Sequence, residues 1–576
     1  MSQISPSIST SSTESETPWA ENVIVLDLER QETLKWPNAE IALAPARITR
    51  SQSLTHLSIK QKFTHPYFHM KTTELEMVDF NGPGDPVSTA IMYQPLNWPF
   101  RKKLTTTLVY GLFTMTSTWA SSIYSPAAEY VAKEFNVQPE VSLLGVSFLL
   151  LGFGFGPLLW APLSEIYGRK PAVLVPVFIS ACFSFGSATA KDMQTLLLTR
   201  FFAGIFGSAP VTNTGGVLSD IWAPQSRGTA IVGYAFAVVG GEYISLPYNA
   251  IFLPFPGPTM GPIVGGAIVS SYPGWRWTEY VSPLSTTHTP ISLTYPPKMT
   301  GIMQMTIILV GAIVLNETYP DALLVAKARQ LRHDSGNWAL HARHEERSFS
   351  IGELANEFLT RPFRLLATPI CFLMVLYASF VYGILYLCLA AVPVQFAEER
   401  GYGPVKSQLP FLALLLGTVF GGTANILNNK FYTRKFEANE NQPIPEARLP
   451  PMMIGSIFFA AGLFIFGWAS PATIHWVAPC LGLVFMGFGF FTIFQAALNY
   501  LIDTFASCAA SAVAAQTFVR SIFAASFPMF VAPMFHHLDI EWGSSVLGCF
   551  ATALIPIPFF FYFHGKKIRM GSKFTE

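Results

Sequence analysis

The sequence predicts an all-α membrane protein in which twelve transmembrane helices form two bundles of six. Three observations predict this class. Charged residues make up only 12% of the 576 residues and hydrophobic residues 51%, whereas soluble domains carry roughly 25% charged residues. Apolar segments of about 20 residues, the length that crosses a bilayer, recur along the chain. Lys and Arg concentrate in alternate connections between those segments, as they do in multi-pass proteins.

The first hundred residues differ from the rest. They begin with a stretch rich in Ser, Thr and Glu, and no apolar segment near the start resembles a cleavable signal peptide. We therefore expect a disordered cytosolic arm over 1–100. The arm ends at 97–103 in an aromatic and basic cluster that is typical of the inner membrane surface.

Twelve apolar segments follow the arm, in two groups of six. The first group is 105–128, 142–163, 171–190, 194–218, 227–240 continued at 258–272, and 300–315. The second group is 367–391, 404–427, 450–468, 476–500, 511–535 and 544–563. The predicted domains are accordingly an N-terminal six-helix bundle (101–315), a cytosolic central loop (316–366), a C-terminal six-helix bundle (367–563) and a cytosolic tail (564–576).

The positive charges orient these segments. Arg169 and Lys170, seven basic residues of the central loop and three of the tail all fall on one side of the predicted membrane. Because basic residues stay on the cytosolic side, both termini are expected in the cytosol. The chain is expected in the cell (plasma) membrane, with the vacuolar membrane as the alternative. The net charge of +1 excludes a basic surface for nucleic acid, so no nucleic-acid partner is expected.

Catalytic and metal chemistry finds no support in the sequence. The six cysteines lie scattered in apolar stretches without a CxxC spacing, which favours small buried hydrophobes over disulfides or a metal site. The histidines show neither metal-ligand nor catalytic-triad spacing. We therefore expect no enzyme activity, no catalytic residue, no metal and no cofactor.

A short charged run lies between the second and third apolar segments. It contains Glu165, Gly168, Arg169 and Lys170, a tight turn that leaves the membrane and re-enters it. The run resembles the loop 2–3 signature of the major facilitator superfamily, where it acts as a cytosolic latch between the two halves. Ala161 replaces the Gly of the general signature, a departure common in the fungal drug:proton antiporter branch. The alternative is a basic inner loop without a special role.

Two further motifs follow in the order of that branch. Arg200, with Gly four residues on, resembles the helix 4 motif, in which the Arg takes part in proton coupling. The alternative is an Arg whose charged end reaches the membrane surface. The residues Gly261, Pro262, Gly265 and Gly266 resemble the helix 5 motif of the antiporter branch, which is associated with exporters and packs helix 5 tightly against its neighbour.

The second half offers weaker candidates. Arg520 lies within the eleventh segment, and an intramembrane cation is a candidate site residue or one member of a structural pair. Tyr377, Tyr382, Gln495 and Asn499 are candidates for lining a central cavity, although single polar or aromatic residues on such helices more often serve packing. Glu129, Asp220 and Asp503 are weak candidates for the proton carrier.

Two Pro-rich stretches interrupt the family pattern. Residues 241–257 split the fifth segment, and residues 281–298 separate it from the sixth. Proline breaks helices, and excision of either stretch restores a continuous pattern. We interpret both as translated introns, with external elaboration of the protein as the alternative.

The resemblance implies a function. A protein of this branch is a monomeric proton-coupled efflux transporter of amphipathic organic compounds, such as a fungal secondary metabolite, toxin or drug. Its partners are the small-molecule substrate, protons and the lipid bilayer. Two alternatives stay open: a polyamine or nutrient carrier of the same fold, and a transport-inactive product of a mis-spliced gene model.

Overall fold

The computed structural model describes residues 95–223, 261–266, 300–346, 360–440, 442–505 and 508–570, with single positions at 78, 226, 230, 234 and 269. Within those residues the regular elements are helices, which confirms the all-α prediction. The predicted arm before residue 95, apart from position 78, and both suspected inserts, 241–257 and 281–298, lie outside the described residues.

Seven helices are described before the central segment. They are α1 (Phe100–Ser122), α2 (Ala128–Phe135), α3 (Pro139–Tyr167), α4 (Pro171–Ala188), α5 (Met193–Gly207), α6 (Ala209–Ile221) and α7 (Thr300–Val314). Proline begins α3 and α4, because its missing N–H costs nothing in a first turn. Asp192 caps α5 by accepting the amide of Thr195 at 2.7 Å. The fifth predicted span is described as a helix only at 261–266 and at single positions, so the count of twelve stays a prediction.

The remaining helices form the central segment and the C-terminal half. They are α8 (Pro320–Ser335), α9 (Arg361–Leu366), α10 (Pro369–Pro393), α11 (Phe411–Ala438), α12 (Pro450–Trp468), α13 (Val477–Thr504), α14 (Ala509–Leu554) and α15 (Pro556–Arg569). The segment that we predicted as a central loop thus contains a helix of 16 residues, α8. A left-handed Gly336 ends that helix, which is a common C-terminal arrangement.

Eight helices of the described part are long and apolar enough to cross a membrane. The last of these stretches, Ser511–Arg569, has 59 residues, more than two crossings of about 20 residues need. It is interrupted at Asp539, whose backbone is not helical (φ 59°, ψ 161°). The eleventh and twelfth predicted spans therefore lie on either side of this residue.

The two halves meet along α3 and the first part of α14. Ser147 donates a hydrogen bond to the carbonyl of Ala525 at 2.6 Å, and Gly154 lies against Ser521. As the residue number rises along α3, the number of its contact on α14 falls. The two helices are therefore antiparallel, and the end of α3 lies near the start of α14. We call the end of the bundle that holds Gly168 the latch end, and the opposite end, where α1 finishes, the far end.

Glycine allows the closest helix contacts. A Cβ atom on Gly204 of α5 would collide with the backbone of α3 at Leu149, and one on Gly417 of α11 would collide with α13 at Val484. Small residues let membrane helices approach until their backbones touch. Each half is therefore held together by a glycine contact between two of its helices.

Candidate functional site

The turn at the latch end is built around one carboxylate. Glu317, just after α7, accepts the backbone amides of Arg169 at 2.8 Å and Lys170 at 3.1 Å. These amides precede α4 and would otherwise have no helical partner. The negative carboxylate also complements the positive end of the α4 dipole. Glu317 therefore ties the end of α7 to the start of α4.

Arg169 joins three further elements at this point. Its Nε contacts Asp220 Oδ2 of α6 at 3.1 Å, and its Nη1 donates to Ser164 Oγ of α3 at 2.7 Å. The guanidinium lies 5.1 Å from the ring centre of Tyr319 in the central segment. The side chains of Arg169 and Asp220 are only 10% and 13% exposed, so the ion pair is shielded from water. The sequence therefore located the turn but not its acidic partners, Asp220 and Glu317.

The other two predicted latch residues have different positions. Lys170 Nζ donates to the carbonyl of Ala312 on α7 at 3.1 Å. Glu165 is partly buried in the last turn of α3, and within the described residues the acid paired with Arg169 is Asp220 instead. Burial, followed by the negative charges of Asp321 and Glu165, raises the pKa of the Tyr319 hydroxyl, so this side chain stays neutral beside Arg169.

Replacement of Gly168 by alanine is expected to destabilise the protein by about 2 kcal/mol. Gly168 has φ 94°, which L side chains rarely adopt, and a Cβ would lie 2.5 Å from Glu317 Oε2. The test is thermal unfolding of the purified protein in detergent. Gly215→Ala is the control, because a Cβ there meets nothing within 4 Å. Equal unfolding temperatures for the two variants would contradict the expectation.

A similar network lies in the C-terminal half. Arg448 Nε contacts Asp503 Oδ2 at 2.9 Å, Tyr432 donates to the same oxygen at 2.9 Å, and the guanidinium lies 3.3 Å from the Tyr432 ring centre. Arg569 of α15 also pairs with Glu446 at 3.2 Å. Sequence analysis did not single out Arg448. The available signal was its place in the loop between the eighth and ninth spans, the counterpart of the Gly168 turn.

These contacts account for the three weak proton-carrier candidates. Asp220 and Asp503 are members of the two arginine pairs. Glu129 is exposed in the first turn of α2, at the far end. None of the three lies at mid-depth of the bundle.

Arg200 is buried where three helices of the N-terminal half meet. Only 1% of the residue is exposed. On α5, it donates from Nε to the carbonyl of Gly145 in α3 at 2.7 Å and from Nη2 to that of Ala120 in α1 at 3.1 Å. Its guanidinium lies 4.2 Å from the ring centre of Tyr124. Ala120 is in the last turn of α1, where carbonyls lack helical partners and the dipole favours a cation.

The helix 5 motif contacts both halves of the molecule. Cβ atoms on Gly261 and Gly265 would collide with Ser122 and with the carbonyl of Ile123, at the end of α1. A Cβ on Gly266 would lie 3.1 Å from Pro404 and Gln408 of the C-terminal half. Pro262, the remaining residue of the motif, is buried within this helical segment. The spacing therefore places two glycines against α1 and the third against the opposite half.

Replacement of Gly266 by leucine is expected to move the halves apart at the far end, because the larger side chain would occupy the space next to Pro404. Spin labels at the exposed Lys133 and Lys406, in a background without native cysteines, report the distance between the halves. We expect a longer mean distance than in the parent. Gly403→Leu is the control, since a Cβ at Gly403 meets nothing within 4 Å. An unchanged distance would argue against this role for Gly266.

Arg520 is surrounded by aromatic side chains at the centre of the C-terminal half. Its guanidinium lies 4.5 Å from the ring centre of Tyr382 on α10 and 5.3 Å from that of Phe494 on α13. Phe490 and Tyr386 extend this group through rings that pack against Tyr382. We call Tyr382, Tyr386, Phe490, Phe494 and Arg520 the central cluster.

The other cavity candidates do not join the central cluster through a direct contact among those described. Tyr377 is fully buried in the core of the C-terminal half, five positions before Tyr382 and so about 140° away around α10. Gln495 and Asn499 share one face of α13, about 100° to 140° from Phe494. Both are buried, at 2% and 8% exposure.

The central cluster reaches the N-terminal half through hydroxyl groups. The hydroxyls of Tyr386 and Ser121 are 3.0 Å apart, and Ser125 at the far end donates to the carbonyl of Leu389 at 2.9 Å. The described contacts of Ser121 and Ser125 with α10 thus lie towards the far end.

A helical membrane protein whose two halves meet around buried polar and aromatic side chains has the architecture of a secondary transporter and not of an enzyme. The chain belongs to the Major Facilitator Superfamily, whose family model matches residues 110–528. This match confirms the family predicted from the three motifs. The protein is a multi-pass membrane transporter of small molecules.

Curated relatives include fungal transporters. The chain is 45% identical to the efflux pump bik6 of Gibberella fujikuroi over 87% of its own length and 95% of that protein's. It is 37% identical to the multidrug transporter FLU1 of Candida albicans, covering 87% of this chain and 76% of that one. It is 37% identical to mrr1 of Monascus ruber, a transporter of the citrinin biosynthesis cluster, covering 87% and 93%.

Solved structures share the fold at low sequence identity. The xylose transporter XylE of E. coli, in a partially occluded inward-open conformation, aligns with a TM-score of 0.53 at 16% identity, covering 80% of this chain and 97% of XylE. The human organic anion transporter MFSD10 aligns with a TM-score of 0.51 at 14% identity, covering 81% and 100%. These similarities establish the fold alone.

Proposed function

We propose that this protein is a proton-coupled exporter of an amphipathic organic compound, a secondary metabolite, toxin or drug. The observation that carries the proposal is the central cluster, which offers aromatic surface and one cation between helices of a transporter fold. The names of the relatives, an efflux pump and a multidrug transporter among them, favour export.

The proposed mechanism is alternating access, in which the two halves rock about the central cluster. Far-end contacts such as Ser125 with Leu389 and Gly266 with Pro404 close one side and must separate when the other side closes. The latch end faces the cytosol in this proposal, together with both termini, because it carries the basic turn and the basic tail. The transporter acts as a monomer in the plasma membrane, and Arg200 takes part in proton coupling.

Inside-out vesicles that contain the protein test the proposal. An imposed pH gradient, acidic inside, should drive accumulation of an amphipathic fluorescent drug, and collapse of the gradient with a protonophore should stop it. Vesicles without the protein are the control. Accumulation that does not depend on the gradient would contradict proton coupling. Failure to accumulate any amphipathic compound would contradict export.

The polyamine carrier is the less favoured alternative, because the charge in the central cluster is a cation, Arg520, which repels cationic substrates. The other alternative, an inactive product of mis-splicing, rests on residues 241–257 and 281–298, which lie outside the described part of the chain. Sequencing the mature transcript tests it: both stretches should be absent from the dominant mRNA if they are introns.

A further inference from the structure

Arg520 is a buried cation without a counter-charge in the described structure. Only 8% of the residue is exposed, and its Nε is buried without a hydrogen-bond partner. Within the described residues it forms ring contacts with Tyr382 and Phe494 but no ion pair. Removing a charge from water is costly unless a partner compensates it. This arrangement therefore has unused capacity to bind an anion.

Gln516 is a neutral side chain near Arg520 that also has buried polar atoms without hydrogen-bond partners. It lies four residues before Arg520, so the two share one face of α14 one turn apart. The residue is 1% exposed, and both its side-chain nitrogen and its oxygen are buried without a partner. Two neighbouring buried side chains with unpaired donors are unusual, because most buried polar atoms have hydrogen-bond partners. Together they present N–H donors to one ligand group.

Tyr382 and Phe494, the two rings of the central cluster that are only partly buried, form a surface for a planar ring. Phe490 and Phe494 are nearly parallel, at an interplanar angle of 12° with ring centres 5.9 Å apart. Tyr382 lies 5.6 Å from Phe494 and 5.2 Å from Tyr386. Rings at these distances prefer offset or edge contacts, and a flat aromatic ligand can add one more such contact.

The cluster also lies at the depth at which transporters of this architecture bind substrate. Arg520 is 11 residues from the start of α14, about 17 Å at 1.5 Å per residue. Phe494 is 10 residues from the end of α13, about 15 Å from the same end of the bundle. Half of a typical hydrocarbon core is about 15 Å. The cation and the rings that contact it are thus near the membrane midplane, and Tyr386, one turn beyond Tyr382 towards the far end, contacts Ser121 of the opposite half.

We propose that the central cluster selects a planar aromatic anion, an aromatic carboxylate or an acidic phenolate. The anionic group accepts hydrogen bonds from Arg520 and Gln516, and the ring packs against Tyr382 and Phe494. This substrate class rests on the proposed function, since it names what the exporter carries. Charge-assisted hydrogen bonds are the stronger ones, so the anion accounts for most of the selectivity.

Equilibrium binding to the purified full-length protein in detergent tests the proposal without any proton gradient. Three radiolabelled probes share a ring and differ in charge at neutral pH: 2-naphthoate, 2-naphthalenemethanol and 2-naphthylmethylammonium. We expect 2-naphthoate to bind at least tenfold more tightly than either of the others. Arg520→Met should reduce the preference of the protein for 2-naphthoate over the alcohol to less than about twofold, while its affinity for the alcohol stays unchanged. Gln516→Leu should reduce this preference by a smaller factor, and Phe494→Leu should weaken the binding of all three probes.

Arg434→Met, on an exposed side chain of α11, is the matched control and should keep the wild-type preference. If Arg520→Met does not fold, the proposal is still tested by the wild-type ranking of the three probes and by the preference of Arg520→Lys. Failure of 2-naphthoate to bind, tightest binding of the ammonium probe, or an unchanged preference in Arg520→Met would each overturn the proposal. If 2-naphthoate binds but no gradient-driven transport is seen, the anion site stands and proton-coupled export is disproved. If only neutral compounds are exported, export stands and the anion site is disproved.

Discussion

Replacement of Arg200 by lysine lowers gradient-driven transport at least tenfold, and Arg200→Ala reduces it to background. The guanidinium donates to carbonyls on two different helices and packs on Tyr124, and the lysine ammonium cannot match this planar geometry. The measurement is drug accumulation in vesicles under an imposed pH gradient. Arg343→Lys, on an exposed side chain of the central segment, is the control.

A second measurement separates coupling from a purely structural role. In the absence of a gradient, exchange of labelled for unlabelled substrate requires the halves to rock but requires no net proton movement. If Arg200 acts in coupling, Arg200→Lys retains this exchange while it loses accumulation. Loss of both activities together would indicate a structural role only, and unchanged accumulation in Arg200→Ala would disprove the assignment altogether.

Replacement of Arg169 by methionine destabilises the protein by about 3 kcal/mol, because it removes the cation that pairs with the shielded Asp220 carboxylate. The double variant Arg169→Met with Asp220→Leu recovers much of that loss, since apolar side chains of similar volume can replace a buried ion pair. The measurement is thermal unfolding in detergent.

Two further variants support the interpretation of this experiment. Arg448→Met should destabilise by a similar amount, because its pair with Asp503 is equally shielded. Arg434→Met is exposed and should unfold like the parent. A double variant at Arg169 and Asp220 that is no more stable than Arg169→Met alone would contradict this explanation, because it would show that the charge left on Asp220 is not the cause of the lost stability.

The sequence predicted the features that local patterns encode. Apolar length predicted the helices, and the spacing of acid, glycine and basic residues predicted the turn at Gly168, where the backbone requires a positive φ. Arg200 was singled out because it resembles the helix 4 motif, with a charged end at the membrane surface as the alternative, and the structure places it at 1% exposure. The proton-coupling role assigned to it stays a prediction.

The partners of these residues were beyond sequence reasoning, because they come from distant positions. Glu317 follows the sixth span and contacts a turn 147 and 148 residues earlier. Phe494 is one of 49 phenylalanines, and no pattern distinguishes it until α13 lies beside Arg520. Tyr377, by contrast, resembled a cavity residue but packs in the core, because helical rotation and not residue type decides which side chains face the cavity.

The arginine–aspartate pairs of the two halves, each beside a tyrosine ring, have an evolutionary consequence. They lie at the latch end, about half a bilayer away from the rings that contact Arg520. Substitutions at Phe490 or Phe494 can therefore alter which compound is recognised while these pairs stay intact. A gene copy of this transporter can thus adapt to a new compound through a few changes at one depth, while the ion pairs at the latch end stay in place.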